Sequence, residues 1–272
     1  MKQVKVLVLT LIVLMGVGFT SCMNSDDNTT NMGYSVVKVR SSLGSVFFED
    51  ASGFKYYPSV ASLAAVEADP LNFKTSSTNL AYIGYQYDTA TQQVTENTTK
   101  LNVELFYAVS LDSKVEYVSE PGADNDSIAK APIITLKGTA NSYYNYEPIM
   151  FDNKTLLLPV NYFMSINSPS HYFTLVYYQN EDPTPGAPAV DGENNAVTLY
   201  LRHNNGSDTS TSGTSLGYAQ SLPYVFYKAF DLSSLHLSPG TKLIIKTLES
   251  SNSIKLEDGQ EKEYEVVINP KE

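Results

Sequence analysis

The sequence has 272 residues and a formal net charge of −11, from 18 basic and 29 acidic residues. This acidic balance argues against nucleic acid as a partner, because phosphate backbones attract basic surfaces. Cys22 is the only cysteine, so the chain cannot form an internal disulfide and packing has to hold its core. The 20 tyrosines and 11 phenylalanines favour β-strands, in which aromatic side chains are enriched.

A short apolar leader precedes Cys22. It opens with Lys2 and Lys5 and continues as an apolar run over residues 6–14. The run is shorter than the roughly 20 apolar residues that cross a bilayer. Its order is typical of a secretion signal, and the residues before the cysteine resemble the bacterial lipobox. We predict that residues 1–21 are a lipoprotein signal peptide and that Cys22 is the lipid anchor; an ordinary secretory signal with an incidental cysteine is the alternative.

Residues 22–33 are predicted to form a lipidated acidic tether. Asp26 and Asp27 follow the cysteine closely, and this resembles the surface-export tag of Bacteroidetes lipoproteins. The polar composition fits a disordered linker equally well. Multiple acyl chains hold a membrane firmly, because each buried methylene contributes about 0.8 kcal/mol. We therefore expect the N-terminal acyl chains to bind the outer membrane, with display at the cell surface as a hypothesis.

Residues 34–118 have the pattern of a small β-barrel. Strands are predicted at 36–40, 46–49, 54–57, 80–87 and 101–109. Between the third and fourth strands, Ser59 can cap a short helix, whose predicted apolar face is Val60, Leu63 and Ala64. The order of three strands, one helix and two strands is typical of an OB-fold. In the last strand, the residues predicted to share one face are Leu101, Val103, Leu105, Tyr107 and Val109.

Residues 119–132 are predicted to be a polar interdomain linker, and residues 133–272 a second domain. Strand-like runs occur there at 133–137, 155–164, 171–178, 196–203, 224–230, 242–248 and 263–268. Pro159 cannot donate to a ladder, so its strand is expected at a sheet edge or with a bulge. The predicted fold class is all-β, with an N-terminal OB-like barrel followed by a C-terminal antiparallel β-sandwich.

Two histidines of the second domain are predicted to lie side by side. One strand begins with His171 and another ends with His203, and each histidine shares a mainly apolar face. In a simple hairpin register that pairs Tyr178 with Ala196, His171 lies opposite His203. The pattern therefore indicates a histidine pair at one end of the sandwich.

Two facing imidazoles could bind a metal ion, with Asp208 or Asp152 as a third ligand. They could also cap the core and bond to backbone carbonyls, which we favour because no third ligand has diagnostic spacing. We therefore predict no metal and no cofactor. A metal-dependent enzyme that uses His171 and His203 is the least favoured alternative.

Other motifs are short. Asp88-Thr89-Ala90 and Asp126-Ser127-Ile128 resemble the acceptor pattern of Bacteroidetes O-glycosylation, which makes Thr89 and Ser127 candidate acceptors. Residues 204–208 could bind calcium but fit a turn better. The tyrosines within 143–146 could stack on sugars, but we favour packing of their rings between the domains. The sequence contains no nucleophile elbow, zinc-protease motif, phosphate loop or dinucleotide fingerprint. We predict no catalytic residues.

Three sequence motifs carry a family resemblance. They are His-Tyr-Phe-Thr-Leu-Val-Tyr at 171–177, Leu-Tyr-Leu-Arg-His-Asn at 199–204 and Ala-Phe-Asp-Leu-Ser-Ser-Leu at 229–235. Together with the leader and the OB-like region, they resemble the NigD-like lipoproteins of Bacteroidetes. The resemblance spans essentially the whole mature chain, and it implies an N-terminal OB domain and a C-terminal β-sandwich. It implies no established biochemical activity.

These observations predict an anchored, non-enzymatic binding or interaction module. Its partner is expected to be an envelope protein or a glycan, since both β-barrels and β-sandwiches commonly serve as ligand scaffolds. A fimbrillin-like structural subunit is the alternative from another class. A glycan-binding protein would expose coplanar tyrosines, whereas a protein-binding module would expose an apolar patch. A fimbrillin would contain a removable strand.

Overall fold

A computed structural model describes residues 29–68, 73–118, 128–137, 146–164, 171–178, 196–208 and 227–268. The chain divides into two compact units, the first ending at Asp112 and the second beginning at Ser113. Cys22, Ser127 and residues 143–145 lie outside the described residues. No helix among the described residues is long and apolar enough to cross a membrane. The all-β class, with a barrel followed by a second β unit, is confirmed.

The first unit is a closed five-stranded barrel with one helix. Its elements are β1 (Thr30–Ser42), β2 (Ser45–Glu49), β3 (Lys55–Pro58), α1 (Val60–Ala68), β4 (Leu80–Asp88) and β5 (Lys100–Ser110). The strand order is β1-β2-β3-β5-β4, and β1 pairs with β4 to close the barrel. The β3–β5 pair is parallel and the others are antiparallel. This is the predicted element order.

The barrel core is made by residues that alternate along the strands. Fully or nearly fully buried side chains there include Val37, Phe48, Ile83, Leu101 and Val103. Burial of such side chains contributes roughly 1.5–3 kcal/mol each, so the barrel is held by packing.

One strand departs from its predicted face. The β4–β5 register shifts between Gly84 and Tyr85, so that Gly84 pairs with Tyr107 and Tyr85 with Leu105. Phe106 is therefore the extra residue of a bulge, and Ala108 rather than Tyr107 points to the core. The predicted inward positions of Tyr107 and Val109 are wrong, because an extra residue exchanges the two faces.

Helix α1 is capped as predicted but buries a different face. The backbone N–H of Ser62 donates to Ser59 Oγ at 3.2 Å. Ser62 and Val66 are the buried residues of the helix, whereas Val60 is 87% exposed and Leu63 is half-buried. The predicted face that includes Val60 is therefore wrong.

The second unit is built on an eight-stranded sheet in the order β13-β12-β10-β9-β6-β11-β8-β7. Its strands are β6 (Asp112–Val118), β7 (Ile149–Met150), β8 (Thr155–Pro159), β9 (Tyr172–Tyr178), β10 (Ala196–Asn204), β11 (Tyr227–Asp231), β12 (Lys242–Glu249) and β13 (Gln260–Val267). Short 3-10 helices lie at Ser233–Leu235 and Leu256–Asp258. The β10–β12 and β6–β9 pairs are parallel, so the sheet is mixed rather than purely antiparallel.

Three details of the second unit differ from the expectations. Strand β6 belongs to this sheet, whereas residues up to 118 were assigned to the barrel domain. Residues 133–137 form isolated bridges in place of a strand. Strand β8 lies between β11 and β7 and not at an edge, but Pro159 is its last residue. Among the described residues, β7 pairs with Leu156 and Leu157 of β8. The ladder between β7 and β8 therefore needs no N–H from Pro159.

Candidate functional site

The structure places His171 and His203 side by side. His203 lies near the end of β10 and pairs with Phe173, while His171 directly precedes β9. The strands are therefore shifted by two residues from the predicted register that pairs Tyr178 with Ala196. A shift by an even number keeps every side chain on its face. His171 Nδ1 accordingly lies 2.8 Å from His203 Nε2.

The two imidazoles are the middle of a hydrogen-bonded chain of four groups. His203 Nδ1 is 3.1 Å from the carbonyl oxygen of Pro132, and His171 Nε2 is 3.2 Å from Asp208 Oδ2. Asp208 is placed by the turn that follows β10: its N–H donates to the carbonyl of Asn205, whose side-chain amide donates back to the Asp208 carbonyl. A local turn thus supplies the group that ends the chain.

The contacts of this chain determine how many hydrogens it holds. The Pro132 carbonyl can only accept, so His203 Nδ1 carries a hydrogen. A neutral His203 then accepts at Nε2 from His171 Nδ1. The third hydrogen lies between His171 Nε2 and Asp208, on either atom. Three contacts therefore hold three hydrogens, and the group of two imidazoles and one carboxyl is neutral overall.

Burial keeps a further proton off this group. The side chains of His171 and Asp208 are 3% and 4% exposed, and His203 is buried. Burial lowers the pKa of His203 to about 3, with a smaller effect from His171. Burial also lowers the pKa of His171, and the nearby Asp208 carboxylate opposes that change. Both histidines are thus disfavoured as cations by desolvation.

Aromatic rings and one lysine enclose the pair. The ring of Phe173 is stacked on His203, with centroids 4.7 Å apart and planes 3° apart, and the Tyr162 centroid is 4.9 Å from that of His171. Lys228 Nζ lies 5.3 Å from the Phe173 ring centroid. Burial lowers the pKa of Lys228 to about 8, and its charge further disfavours protonation of both histidines.

The geometry fits hydrogen bonding better than metal binding. Two imidazole nitrogens on one tetrahedral zinc, each about 2.0–2.1 Å from it, lie about 3.3 Å apart, whereas these nitrogens are 2.8 Å apart. The described residues contain no group of three or more His, Cys, Asp or Glu side chains that could hold a metal. Asp152, the other predicted third ligand, instead accepts from the N–H groups of Lys154 and Thr155.

Two other predicted sites lie in turns. The Thr89 hydroxyl donates to the carbonyl of Thr29 at 2.8 Å, and Thr89 is half-buried. Gly206 has a positive φ of 59°, and its N–H donates to Asn204 Oδ1, so the 204–208 segment forms the favoured turn.

A polar groove in the second unit was not foreseen from the sequence. Its volume is about 340 Å³, and it is lined by Ile134, Glu249, Ser250, Ser251, Asn252, Asp258, Gln260 and Lys262. Glu249 Oε1 accepts from Tyr264 at 2.5 Å and from the N–H of Leu136 at 3.2 Å. Burial raises the pKa of the Glu249 carboxyl. The sequence signal is the polar segment between β12 and β13, which supplies half of the lining residues.

An exposed apolar patch on the barrel was also not foreseen. We call Met32, Tyr34 and Phe106 the barrel patch; they are 58%, 37% and 39% exposed. Met32 and Tyr34 alternate on β1, and the ring centroids of Tyr34 and Phe106 lie 5.5 Å apart. The sequence signal for this patch is Gly84, which pairs with Tyr34. Glycine inside a strand often marks a site where another group approaches the backbone closely.

Comparisons with known proteins give the fold. No family model and no curated protein matches the chain. Among solved structures, a protein of Bacteroides fragilis NCTC 9343 named as a candidate lipoprotein is similar at 21% identity and a TM-score of 0.61, over 89% of this chain and 100% of that chain. A NigD-like immunity protein from Bacteroides caccae ATCC 43185 is similar at 13% identity and a TM-score of 0.46, over 89% and 99%.

The first similarity shows that the order of a barrel and a second β unit is shared with a Bacteroides protein over nearly the whole chain.

Proposed function

We propose that this chain is a lipoprotein of the outer membrane that acts as a non-enzymatic binding module. The leader and Cys22 support the anchor, and the similar Bacteroides fragilis protein is itself named as a candidate lipoprotein. The partner is an envelope protein that presents basic side chains. The polar groove of the second unit is the observation that carries the binding role.

A binding role fits the chemistry of the groove. A volume of about 340 Å³ lies within the usual range of ligand sites. Glu249 and Asp258 bring two carboxyl groups to its wall against one ammonium group, that of Lys262, and the serine and amide side chains add hydrogen-bonding groups. A basic side chain that enters such a groove gains charge-assisted hydrogen bonds. The negative net charge of the whole chain attracts a basic partner over a longer range.

The histidine group favours a structural role over a catalytic one. Its side chains are almost completely buried, and its three internal contacts use the hydrogens that a general acid or base would have to exchange. A substrate would need access to His171 or Asp208, and both side chains are less than 5% exposed. We therefore assign this group to the stability of the second unit.

The other binding classes have less support. The described residues that line the groove include no aromatic ring on which a sugar could stack. A fimbrillin-like subunit would need an edge that accepts a donor strand, but the barrel is closed, the edge strand β13 carries Glu261, Lys262 and Glu263, and the other edge strand, β7, has only two described residues. Charged side chains on an edge strand oppose strand addition.

Photo-crosslinking in cells tests this proposal. A photoreactive amino acid replaces Ser251, an exposed residue of the groove, in the full lipidated chain. We expect one discrete protein adduct, which disappears with Asp258→Lys but persists with Glu257→Lys. Glu257 is the adjacent exposed residue and does not line the groove, so both variants change the charge equally.

The Cys22→Ala variant tests the anchor separately, since it should leave the envelope fraction while keeping its fold. The absence of an adduct from Ser251 beyond that from a photoreactive residue at exposed Glu263 would contradict the binding role. Equal loss of the adduct with Asp258→Lys and Glu257→Lys would contradict the groove as its site.

A further inference from the structure

The barrel patch is an outward-facing apolar surface near the start of the folded chain. Gly33 lies between Met32 and Tyr34 on β1, and a Cβ there would lie 2.6 Å from the hydroxyl of Tyr85, which is part of the barrel core. Position 33 therefore faces inwards, so its two neighbours face outwards. Met32, at 58%, is among the most exposed large apolar side chains of the barrel.

The patch depends on particular local structure. A Cβ at Gly84 would lie 2.6 Å from the Phe106 ring and 2.9 Å from the Tyr34 ring. Glycine therefore lets both rings cover the backbone of β4, and Phe106 lies on this outer face together with Asn102 and Glu104 of β5. The two rings meet edge to face, with planes 88° apart. The glycine at position 84 thus makes room for two rings on the outer face of the barrel.

The length of the tether limits where this patch can be. Eight residue steps separate Cys22 from Thr30, the first residue of β1. A fully extended chain of this length spans at most about 28 Å. An acylated Cys22 therefore holds the beginning of β1 within one such length of the lipid surface, and Met32, two residues further along, within about 35 Å. At this distance the tether gives the patch a high effective concentration at the membrane.

We propose that the barrel patch docks on the surface of the bilayer that holds the acylated Cys22. This rests on the anchor of the proposed function. Met32 and Phe106 enter the boundary between headgroups and acyl chains, while the Tyr34 hydroxyl stays among the headgroups, as is usual for tyrosine at membrane interfaces. The contact is apolar, because the acidic chain gains no attraction from anionic lipids. The occupant is a zwitterionic lipid surface.

Spin-label accessibility tests the docking directly. The full chain, acylated at Cys22, is bound to phosphatidylcholine vesicles, and a single cysteine is introduced at Met32, Phe106 or Leu43 for labelling. Acylation consumes the only native thiol, so each label is unique. Leu43 is fully exposed at the opposite end of β1 and is the control. Collision rates with oxygen and with a water-soluble nickel chelate report the depth of each label.

We expect labels at 32 and 106 to collide with the nickel chelate several-fold less often than the label at 43, and with oxygen at least as often. Equal nickel collision rates at all three positions, on a chain that floats with the vesicles, would overturn the docking but leave the anchor intact. Failure to float, together with an unacylated mass, would remove the anchor and the docking with it.

Self-association is distinguished in the same samples. If a second copy covers the patch, labels at 32 and 106 are shielded from both reagents, and their spectra broaden with increasing protein density; this outcome would also overturn the docking. The Met32→Ser/Phe106→Ser variant should transfer between vesicles several-fold faster than the wild type. Tyr172→Ser is its matched control, because Tyr172 is 62% exposed in the second unit.

Discussion

The buried histidine pair should make the stability of the second unit depend steeply on pH. His203 has a pKa of about 3 when folded, against an ordinary value of 6.5, because burial disfavours the imidazolium. Below pH 6.5, His203 therefore binds a proton in the unfolded chain but stays neutral in the folded chain. The contribution of His203 is complete above pH 6.5 and is lost as the pH falls towards 3.

The magnitude follows from the difference in pKa. Each pH unit below 6.5 removes about 1.4 kcal/mol of unfolding free energy through His203, so that acidification to pH 5 removes about 2 kcal/mol. A further proton on the pair would also bring two N–H groups into contact where the nitrogens are now 2.8 Å apart.

Hydrogen exchange of the backbone amides in β9 and β10 measures this local stability from pH 7 to pH 5, after correction for intrinsic exchange rates. His203→Asn should reduce stability at pH 7 and flatten the slope by about 1.4 kcal/mol per pH unit. His236→Asn is the control: His236 is exposed and has a φ of 50°, which asparagine tolerates. The same slope in wild type and His203→Asn would refute the reasoning.

Three further changes have defined outcomes by thermal unfolding. Gly84→Ala should destabilise the barrel by about 1–3 kcal/mol through its clash with Phe106, and Phe106→Ala should relieve most of that cost in the double variant. Ser59→Ala should cost about 1 kcal/mol by removing the cap that accepts from the N–H of Ser62, and an equal loss with Ser59→Thr would contradict this. Phe48→Ala, at a position with no exposure, should cost about 3–5 kcal/mol, whereas Phe48→Leu should cost clearly less.

The order of elements in the barrel could be predicted because each element has a local signal. Alternation marks the strands, and Ser59 after Pro58 marks the start of the helix. The face of the helix and the inward residues of β5 could not be predicted with the same rules. A single bulged residue at Phe106 exchanges the faces of the strand, and only the partner strand determines where that residue lies.

The histidine pair illustrates the same division at the candidate site. The two-residue period of the strands predicts that His171 and His203 share a side of the sheet. This prediction holds although the predicted register is wrong by two residues, because an even shift keeps each side chain on its face. Asp208 contacts His171 because the turn after β10 folds back towards it. The carbonyl that accepts from His203 belongs to Pro132, which is distant in sequence. Hydrogen-bond partners of this kind depend on tertiary contacts that local patterns do not encode.

The sequence by itself determined the all-β class, the order of elements in the barrel and the shared face of His171 and His203, and it predicts the anchor at Cys22. These follow from periodicity, turn residues and a leader, all of which are local. Only the tertiary structure decided the register, the parallel pairs of the second sheet, the polar groove and the exposed rings over Gly84. Such features arise where segments that are distant along the chain meet. The two-residue alternation of a strand cannot determine its register, because every shift by an even number of residues keeps the same side chains on the same face.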